Sequence, residues 1–317
     1  MVKLVVMIPA YNESEKIAGV IQNIPRKIAG IDKVEVLVMD DHSKDKTKEV
    51  SLKAGANKVF RHKQNVGLGK NFKKGLDISL KLGADIIVNI DADGQFNPKD
   101  IPTLIKPIQD EEADMVTCSR FLNPKLVKNM PGLKKWGNRR FTSLVSRITG
   151  EKFTDTQCGF RAYSKEAALR MNINGKFTYT QESFIDLVSK GMRIKEIPLE
   201  VKYFKERKSH ISGKLKNYGF KSLAIIAKTT RDTQPLTFFG MPAVILFLFG
   251  FLGGLVSLVY WLIHLVTSPI QTLFSVSVFL MTFGASLGIL ALIADMMKSL
   301  KMNQEEILYK LKMRDLE

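Results

Sequence analysis

The chain has 317 residues and a formal net charge of +17, from 48 lysines and arginines against 31 aspartates and glutamates. This length suits one large domain or two smaller ones. No zinc-finger spacing or RNA-binding motif is present, so the basic charge favours anionic lipid and phosphate-bearing substrates as partners and argues against nucleic acid.

The first 120 residues alternate between predicted strands and predicted helices. Runs rich in β-branched residues are typical of strands at 3–8, 34–39, 57–60, 85–90 and 114–118. Apolar spacing predicts helices near 14–28, 45–55, 69–82 and 98–111. This alternation predicts an α/β fold in which helices cover a mainly parallel sheet. Ligands of such folds bind beyond the carboxyl ends of the strands.

Four of the predicted strands end in residues that suit a ligand site. They are followed by Pro9–Glu13, Asp40–Ser43, Asp91–Asp93 and Ser119–Arg120. Two aspartates one residue apart are weak evidence alone, since about one such pair is expected by chance in a chain of this length. A tight turn is the plain alternative, because Asp and Gly suit turns.

The context of Asp91 and Asp93 favours a metal site within that turn. An apolar strand precedes the pair, Gly94 permits a tight turn, and Gln95 supplies a further oxygen. Carboxylate and amide oxygens suit a hard cation such as Mg²⁺ or Mn²⁺, which commonly shares its shell with substrate phosphates. We therefore predict a metal site at Asp91, Asp93 and Gln95.

Rival phosphate and metal motifs are incomplete. The stretch GLGK at 67–70 is not a P-loop, since Asn71 follows the lysine, and no G-x-G-x-x-G fingerprint follows the first strand. The four histidines are too scattered for a metal cluster. Cys118 and Cys158 are too few for a cysteine metal site, and in a cytoplasmic domain they are expected to be reduced thiols.

Two later segments predict basic amphipathic helices, at 131–150 and 213–231. In the first, Trp136, Phe141 and Val145 share an apolar face, and lysines and arginines lie off it. A basic amphipathic stretch before a membrane segment favours a helix lying at the lipid surface, more so for 213–231. The alternative for each is a surface helix that packs on its own domain.

A long uncharged stretch follows. From Thr233 to Ala294 the sequence has no Asp, Glu, Lys or Arg. The length of this stretch is about three times the ~20 residues that span a bilayer as a helix. Pro269 divides it into hydrophobic segments 238–266 and 270–294, each long enough to cross a membrane. A buried pair of core helices is the alternative. Lysines and arginines flank the stretch but are missing from its centre, so we predict a multi-pass membrane protein with cytoplasmic termini.

Five motifs, in order, resemble those of family 2 glycosyltransferases of the GT-A (Rossmann-like) fold. They are IPAYNES, MDDHS, NVGLGKNFKKG, DADGQ and SRF, within residues 1–210. The stretch DTQCGFRAYSKEAA at 155–168 and the hydrophobic hairpin resemble the polyprenyl-phosphate (dolichyl-phosphate) hexose synthases. The string DTQCGF is most similar to dolichyl-phosphate β-glucosyltransferases, which use UDP-glucose. Mannose synthases, which use GDP-mannose, are near relatives.

The resemblance implies a membrane-bound inverting glycosyltransferase that uses Mg²⁺ or Mn²⁺. It would transfer a hexose from a nucleotide diphosphate sugar, UDP-glucose or another UDP-sugar being favoured, to dolichyl or polyprenyl phosphate. A GDP-mannose-dependent mannose synthase is the alternative. The predicted organisation is a GT-A domain at 1–210, an amphipathic juxtamembrane segment at 211–232, two transmembrane helices at 233–296 and a cytoplasmic tail at 297–317.

The resemblance also implies roles for individual residues. The nucleotide-sugar pocket would comprise Pro9, Ala10, Tyr11, Glu13, Asp41, Asp91, Asp93 and Gln95. The acceptor phosphate would be bound by Lys134, Arg139, Arg207, Ser212 and Lys214. Catalytic roles would fall to Asp93, Arg120, Lys134, Arg139 and Arg207. Mannose synthases carry an arginine at the position of Lys134, and ERKSHISGK departs from their Arg-x-Gly-x-Ser-Lys, so the acceptor set is the least closely matched.

The acceptor chemistry predicts a single displacement with inversion. A lipid monophosphate has a second pKa near ~6, so at neutral pH it is largely a dianion and needs no strong general base. Basic side chains would orient it, and a divalent ion would stabilise the departing nucleoside diphosphate. Asp155 or Glu182 could position groups near the sugar, although each is equally consistent with a structural anchor.

Two further functions fit part of the pattern. A processive polysaccharide synthase would carry Gln-x-x-Arg-Trp and more membrane segments, and neither is present. A non-catalytic membrane scaffold or flippase subunit could share the hairpin, but Asp91, Asp93 and Arg120 favour an enzyme. The hairpin could anchor the chain alone or associate with a second copy, so a homo-oligomer is compatible with the sequence.

Overall fold

The structure is a computed structural model, which describes residues 1–123, 130, 132–173, 179–202, 215–266 and 268–316. Within these ranges, side chains are described except those of residues 133, 134, 215–222 and 225. The chain forms two units. The sheet unit comprises Met1–Ile226 with Leu308–Glu317, and the hairpin unit comprises Ala227–Ile307.

Seven strands of the described residues form one mixed sheet. They are β1 Lys3–Ala10, β2 Lys33–Asp40, β3 Lys58–Arg61, β4 Ile86–Asn89, β5 Met115–Ser119, β6 Arg161–Ser164 and β7 Ile194–Pro198. Their spatial order is β3-β2-β1-β4-β6-β5-β7, and β6 runs antiparallel to both of its neighbours. The predicted α/β fold with a mainly parallel sheet is therefore confirmed. Since β1, β2, β4 and β5 run in one direction, they end at one edge of the sheet.

Apolar side chains cover both faces of the sheet, as a mainly parallel sheet requires. Successive residues of β1 alternate between two buried clusters, with Leu4 and Val6 on one face and Val5 and Met7 on the other. The first face is covered by α1 Ile17–Gln22, α2 Thr47–Lys53 and α4 Ile101–Gln109. The second is covered by α3 Leu68–Lys81, α5 Gly132–Thr149, α6 Lys165–Arg170 and α7 Thr180–Ser189.

Helix α1 is much shorter than the predicted helix at 14–28. It has six residues and ends at Gln22. Pro25 explains the early end, because a proline disfavours helical backbone in the residue before it, here Ile24. At its start, the Glu13 carbonyl accepts hydrogen bonds from the amides of Lys16 and Ile17, so a turn replaces the predicted first helical turn. The prediction for this segment was wrong in extent but right in type.

The uncharged stretch forms two long helices. After α8 Leu215–Thr233, a π-helical turn at Leu236–Gly240 leads into α9 Met241–His264, and α10 follows at Gln271–Arg314. Both helices are long and apolar enough to cross a membrane. Two long apolar helices after the sheet domain therefore confirm the predicted hairpin. Helix α10 has 44 residues and continues well beyond the uncharged stretch.

Small residues at intervals of seven line the contact between α9 and α10 within the hairpin unit. The residues buried there are Ala243, Gly250 and Ser257 on α9, and Ser277, Gly284 and Ala291 on α10. A Cβ built on Gly284 would lie 2.8 Å from the Phe247 nitrogen and 2.9 Å from the Ala243 carbonyl oxygen. The two backbones thus approach as closely as glycine allows, which is how helices associate in lipid.

The end of α10 belongs to the sheet unit. The Tyr309 hydroxyl donates to Glu166 Oε2 at 2.8 Å, and the Arg170 guanidinium lies 4.4 Å from the centre of the Tyr309 ring. Lys312 Nζ donates to the Leu169 carbonyl at 3.3 Å. Met313 packs against the buried cluster on the second face of the sheet. The last turns of α10 are therefore held on α6 by polar and apolar contacts.

Candidate functional site

The loops that follow β1 and β2 are joined by hydrogen bonds at the shared edge of the sheet. The Asn12 amide donates to Ser43 Oγ (3.0 Å), and Asn12 Oδ1 accepts from the Lys44 amide (2.7 Å). Asn12 also has a φ of 56°, an unusual conformation for a non-glycine residue that clusters at functional sites. Of the predicted residues, Pro9 and Ala10 are the buried last residues of β1, and Tyr11 and Glu13 lie in the partly exposed loop that follows. Residues 9–13 together are called the rim.

Asp41, at the end of β2, holds the start of α3. Its Oδ1 accepts from the Val66 amide (2.7 Å) and its Oδ2 from the Gly67 amide (3.0 Å). A carboxylate is stabilised near a helix N-terminus by the helix dipole. Asp41 is 5% exposed, so a nucleoside could use only the acceptor capacity that these two bonds leave, out of about four lone-pair sites.

Asp91 and Asp93 follow β4 in a tight turn. Asp93 Oδ1 accepts from the Gln95 amide at 2.9 Å, and Gly94 has a φ of 72°. The turn that was the plain alternative is therefore present, and both carboxylates are part of it. Asp91, Asp93 and Gln95 are all partly exposed, at the edge where β1 and β4 end.

The donor set of this turn fits a hard divalent ion. Its carboxylate and amide oxygens are of the type that Mg²⁺ and Mn²⁺ prefer. No group of three or more His, Cys, Asp or Glu that could hold a metal occurs in the part of the chain that the structure describes. With Asp91, Asp93 and Gln95 as protein ligands, an ion here would share its shell with substrate phosphates, as Mg²⁺ commonly does.

Arg120 follows β5 and is bound to Asp155 in the interior. Its Nε and Nη2 donate to the two carboxylate oxygens at 2.5 and 2.7 Å, and Asn138 of α5 donates to Oδ1 at 2.9 Å. Burial would raise the pKa of Asp155, but the charge and hydrogen bonds of Arg120 outweigh burial and lower it. The Asp155 amide donates to Glu196 (2.8 Å). Asp155 is thus an anchor, and Glu182 is buried in the first turn of α7.

Two buried polar side chains beneath the site, Asn89 and Arg161, were missed by the sequence predictions. Asn89, at the end of β4, donates to the Gly159 carbonyl (2.7 Å) and to the Tyr179 hydroxyl (2.8 Å). Arg161 of β6 is fully buried and donates to two backbone carbonyls of the 156–158 segment and to a serine of α7. The available signal was a polar residue inside a short strand, as in DIIVNI and RAYS.

The predicted acceptor residues are described only in part. Arg207, Ser212 and Lys214 lie outside the described residues, and Lys134 lies in α5 with its side chain outside them. Arg139, also on α5, is exposed. Trp136, predicted to share the apolar face of this helix, is 59% exposed, and the guanidinium of Arg140 lies 5.6 Å from its ring centre.

A family model matches the chain, and so do many curated relatives. The model, described as glycosyl transferase family 2, covers residues 5–170. The UDP-N-acetylglucosamine–dolichyl-phosphate N-acetylglucosaminyltransferase of Methanococcus voltae is 34% identical over 216 residues, 62% of this chain and 84% of that protein. The polyprenol monophosphomannose synthase of Mycolicibacterium smegmatis is 26% identical over 219 residues, 66% of this chain and 80% of that protein.

A similar fold occurs among solved structures. Glucosyl-3-phosphoglycerate synthase of Mycobacterium tuberculosis, crystallised with Mn²⁺, UDP and phosphoglyceric acid, superimposes with a TM-score of 0.55 at 22% identity. The match covers 73% of this chain and 78% of that one. The same protein was also crystallised with Mg²⁺ and UDP. At this identity the likeness is one of fold.

Proposed function

The chain belongs to the family 2 glycosyltransferases of the GT-A fold, and we propose that it transfers a hexose to dolichyl or polyprenyl phosphate. Two relatives are named for lipid-phosphate acceptors of this kind. One structural observation carries the proposal. The turn with Asp91, Asp93 and Gln95 lies at the same sheet edge as Asp41 and the rim 9–13, where open α/β sheets bind ligands.

The proposed donor is UDP-glucose or another UDP-sugar. Its base and ribose would lie on the rim formed by Pro9, Ala10, Tyr11 and Glu13, next to Asp41. Asp91, Asp93 and Gln95 would hold Mg²⁺ or Mn²⁺, which when bound supplies Lewis-acid stabilisation to the diphosphate. The name of the Methanococcus voltae relative supports a UDP-sugar, and a GDP-mannose donor is the alternative that the other relative's name suggests.

The proposed reaction is one displacement at the anomeric carbon. An oxygen of the acceptor phosphate forms the new bond to that carbon while the bond to the nucleoside diphosphate breaks, so the configuration inverts. The acceptor is largely a dianion at neutral pH and needs no strong base. Its charge would be offset by Lys134, Arg139, Arg207 and Lys214, and Ser212 would donate a hydrogen bond to it. Arg120 would contribute from its fixed position against Asp155.

The proposed arrangement in the membrane follows from the hairpin. The two helices within 233–296 would span the bilayer, with the GT-A domain (1–210), the segment 211–232 and the tail 297–317 on the cytoplasmic side. Basic residues flank the hairpin at both ends, which is the distribution that cytoplasmic flanks show. A lipid acceptor would then meet the domain at the membrane surface.

A transfer assay tests the function. The full chain in detergent is incubated with dolichyl phosphate, Mn²⁺ and labelled UDP-glucose, UDP-N-acetylglucosamine or GDP-mannose, and the organic phase is counted. We expect lipid-linked sugar from a UDP-sugar. Product from GDP-mannose alone would select the mannose synthase alternative, and no product from any donor would contradict the proposal.

Substitution of Asp93 tests the metal role. Asp93→Ala should lower metal-dependent turnover by more than about 100-fold, since even outer-shell changes at metal sites cost 10–100-fold. Asp110→Ala is the matched control, because Asp110 is a carboxylate of the same unit whose exposed side chain pairs with Lys106 at the end of α4. Turnover of Asp93→Ala close to wild type, or wild-type turnover in excess chelator, would remove the metal from the proposal.

A further inference from the structure

We propose that Gly159 is a positioning residue for the carboxylate of Asp91, which lies in the space that a side chain at Gly159 would fill. The inference rests on the proposed function, in which Asp91 binds the divalent ion that accompanies a nucleoside diphosphate. Gly159 has no reactive group, and it would act on the ion only through the position of Asp91.

The contact between Gly159 and Asp91 is closer than any side chain would permit. A Cβ built on Gly159 would lie 2.7 Å from Asp91 Oδ2, 3.0 Å from Oδ1 and 3.1 Å from Cγ. Carbon and oxygen atoms without a bond between them do not approach to 2.7 Å without strain, so one of the two residues would have to move. The backbone of Gly159 does not have the positive φ that favours glycine. Space, and not backbone conformation, is therefore what requires a glycine here.

Within the backbone segment 156–160, hydrogen bonds from buried side chains hold Gly159 in place. Its carbonyl accepts from Asn89 Nδ2 at 2.7 Å, and Asn89 is fully buried. The same amide donates to the Tyr179 hydroxyl at 2.8 Å, and the Tyr179 ring is stacked on Phe72 with centres 3.7 Å apart. These contacts fix the position of the segment 156–160 relative to β4, the strand that leads into Asp91.

The residues on either side of Gly159 are also fixed. Arg161, fully buried, donates to the carbonyls of Cys158 (2.8 Å) and Thr156 (3.1 Å). The Phe160 carbonyl accepts from the Cys118 amide at 3.0 Å, which joins the segment to β5. Since buried polar groups are costly to leave unbonded, the segment 156–160 resists displacement. A methyl group at position 159 would therefore push the Asp91 carboxylate instead.

Two other glycines provide matched controls for a Gly→Ala change. Gly19 lies in α1, and a Cβ there meets nothing within 4 Å. Gly75 lies in α3, and a Cβ there would overlap the side chain of Met7 in the core and lie 3.1 Å from Met39 Cγ. The first control adds a methyl group in open space, and the second adds one in the core away from Asp91.

The experiment compares ion binding with unfolding for the three variants in the full chain. Binding of Mn²⁺ in the presence of UDP is measured by electron paramagnetic resonance of free Mn²⁺. Unfolding of the sheet unit is followed with a thiol-reactive dye, because Cys118 and Cys158 are both buried in that unit. Gly159→Ala should weaken Mn²⁺ binding about 10-fold or more and leave the unfolding midpoint within about 2 °C of wild type.

The controls and the contrary outcomes are distinct. Gly19→Ala should leave Mn²⁺ binding unchanged and raise the midpoint slightly, as alanine does within a helix. Gly75→Ala should lower the midpoint, and at temperatures below that midpoint its Mn²⁺ binding should equal that of wild type. Wild-type Mn²⁺ affinity in Gly159→Ala would overturn the proposal, and so would a midpoint lowered as far as in Gly75→Ala. If Asp91→Asn also binds Mn²⁺ with UDP as wild type does, the metal assignment of the proposed function has failed, and not the role of the glycine alone.

Discussion

The residues buried beneath the candidate site of the sheet unit and those buried where α9 and α10 meet in the hairpin unit are of opposite kinds. Beneath the candidate site, the sheet unit buries charged and polar side chains such as Arg120, Asp155 and Arg161. Where α9 and α10 meet, the hairpin unit buries glycine, alanine and serine. Water is the reference solvent for the first, so buried charges must be fully paired. In the proposed membrane location lipid would offer no hydrophobic drive between helices, so close backbone contact would supply the stability of the second.

Breaking the Arg120–Asp155 pair should have the largest effect. Asp155→Asn keeps the shape but leaves the Arg120 guanidinium buried without its counter-charge. Loss of one partner of a buried pair costs about 3–5 kcal/mol, which the dye that reacts with Cys118 and Cys158 would report as a large fall in the unfolding midpoint. Asp110→Asn breaks only an exposed pair with Lys106, worth about 0.3–0.5 kcal/mol. Equal midpoints for the two variants would contradict the role given to the buried pair.

The same pair should make the sheet unit sensitive to acid. The folded pKa of Asp155 is lowered, so its stabilising contribution is fully present above the unfolded value of about 3.9 and is lost as pH falls through the folded pKa. The unfolding midpoint of the wild type should therefore drop on acidification from pH 5 to pH 3, followed by circular dichroism because thiols do not react with the dye at acid pH. Asp155→Asn should show a shallower drop over that interval, and an identical slope would assign the acid sensitivity to other groups.

Much of the sheet unit could be predicted from the sequence, because its strands are apolar and its turn residues stand at strand ends. The turn with Asp91 and Asp93 stood out for that reason. Strand β6 could not be predicted in the same way, since it has four residues and includes the fully buried Arg161. Arg161 is stable in the interior because its donors are hydrogen-bonded. The acceptors lie in the 156–158 segment and in α7, which only the fold brings together.

In the hairpin unit the helices could be predicted from the sequence, but the contact between them could not. Absence of charge predicted both helices, but no pattern of polarity marks which face of α9 meets α10. The seven-residue spacing of Ala243, Gly250 and Ser257 becomes meaningful only beside the same spacing on α10. The contact depends on side-chain size, which hydrophobicity does not encode.

Filling that contact should have the second-largest effect. A Cβ at Gly284 would meet backbone atoms of α9 at 2.8 and 2.9 Å, whereas one at Gly288, one turn further along α10, meets nothing within 4 Å. Backbone cannot move aside as a side chain can, so Gly284→Ala should cost about 1–3 kcal/mol, as overpacking does. Gly288→Ala should be close to neutral.

The measurement for this pair is SDS-induced unfolding followed by Trp261 fluorescence. Trp261 lies on α9, and Trp136→Phe makes it the sole tryptophan of the chain. Gly284→Ala should unfold at a lower SDS fraction than Gly288→Ala, and the dye midpoint of the sheet unit should be the same in both. Equal SDS midpoints would mean that small residues are not what brings α9 and α10 together.

The smallest effect is expected where one helix serves both units. Helix α10 begins in the hairpin unit, but Tyr309 near its end belongs to the sheet unit, where its hydroxyl bonds to Glu166 and its ring contacts Arg170. Tyr309→Phe removes the hydroxyl and keeps the ring. Because the Glu166 side chain is 40% exposed and water can replace the lost bond, the substitution should cost about 0.5–1 kcal/mol.

Tyr309→Phe therefore decides whether the boundary between the units runs through α10. If it does, the substitution should lower the dye midpoint of the sheet unit slightly and leave the SDS midpoint reported by Trp261 unchanged. Tyr309→Ala, which also loses the ring contact with Arg170, should extend the first effect and still spare the second. A shift of the Trp261 transition by either variant would show that the tail stabilises both units, and that polar contacts on α6 support a helix whose other end depends on small residues.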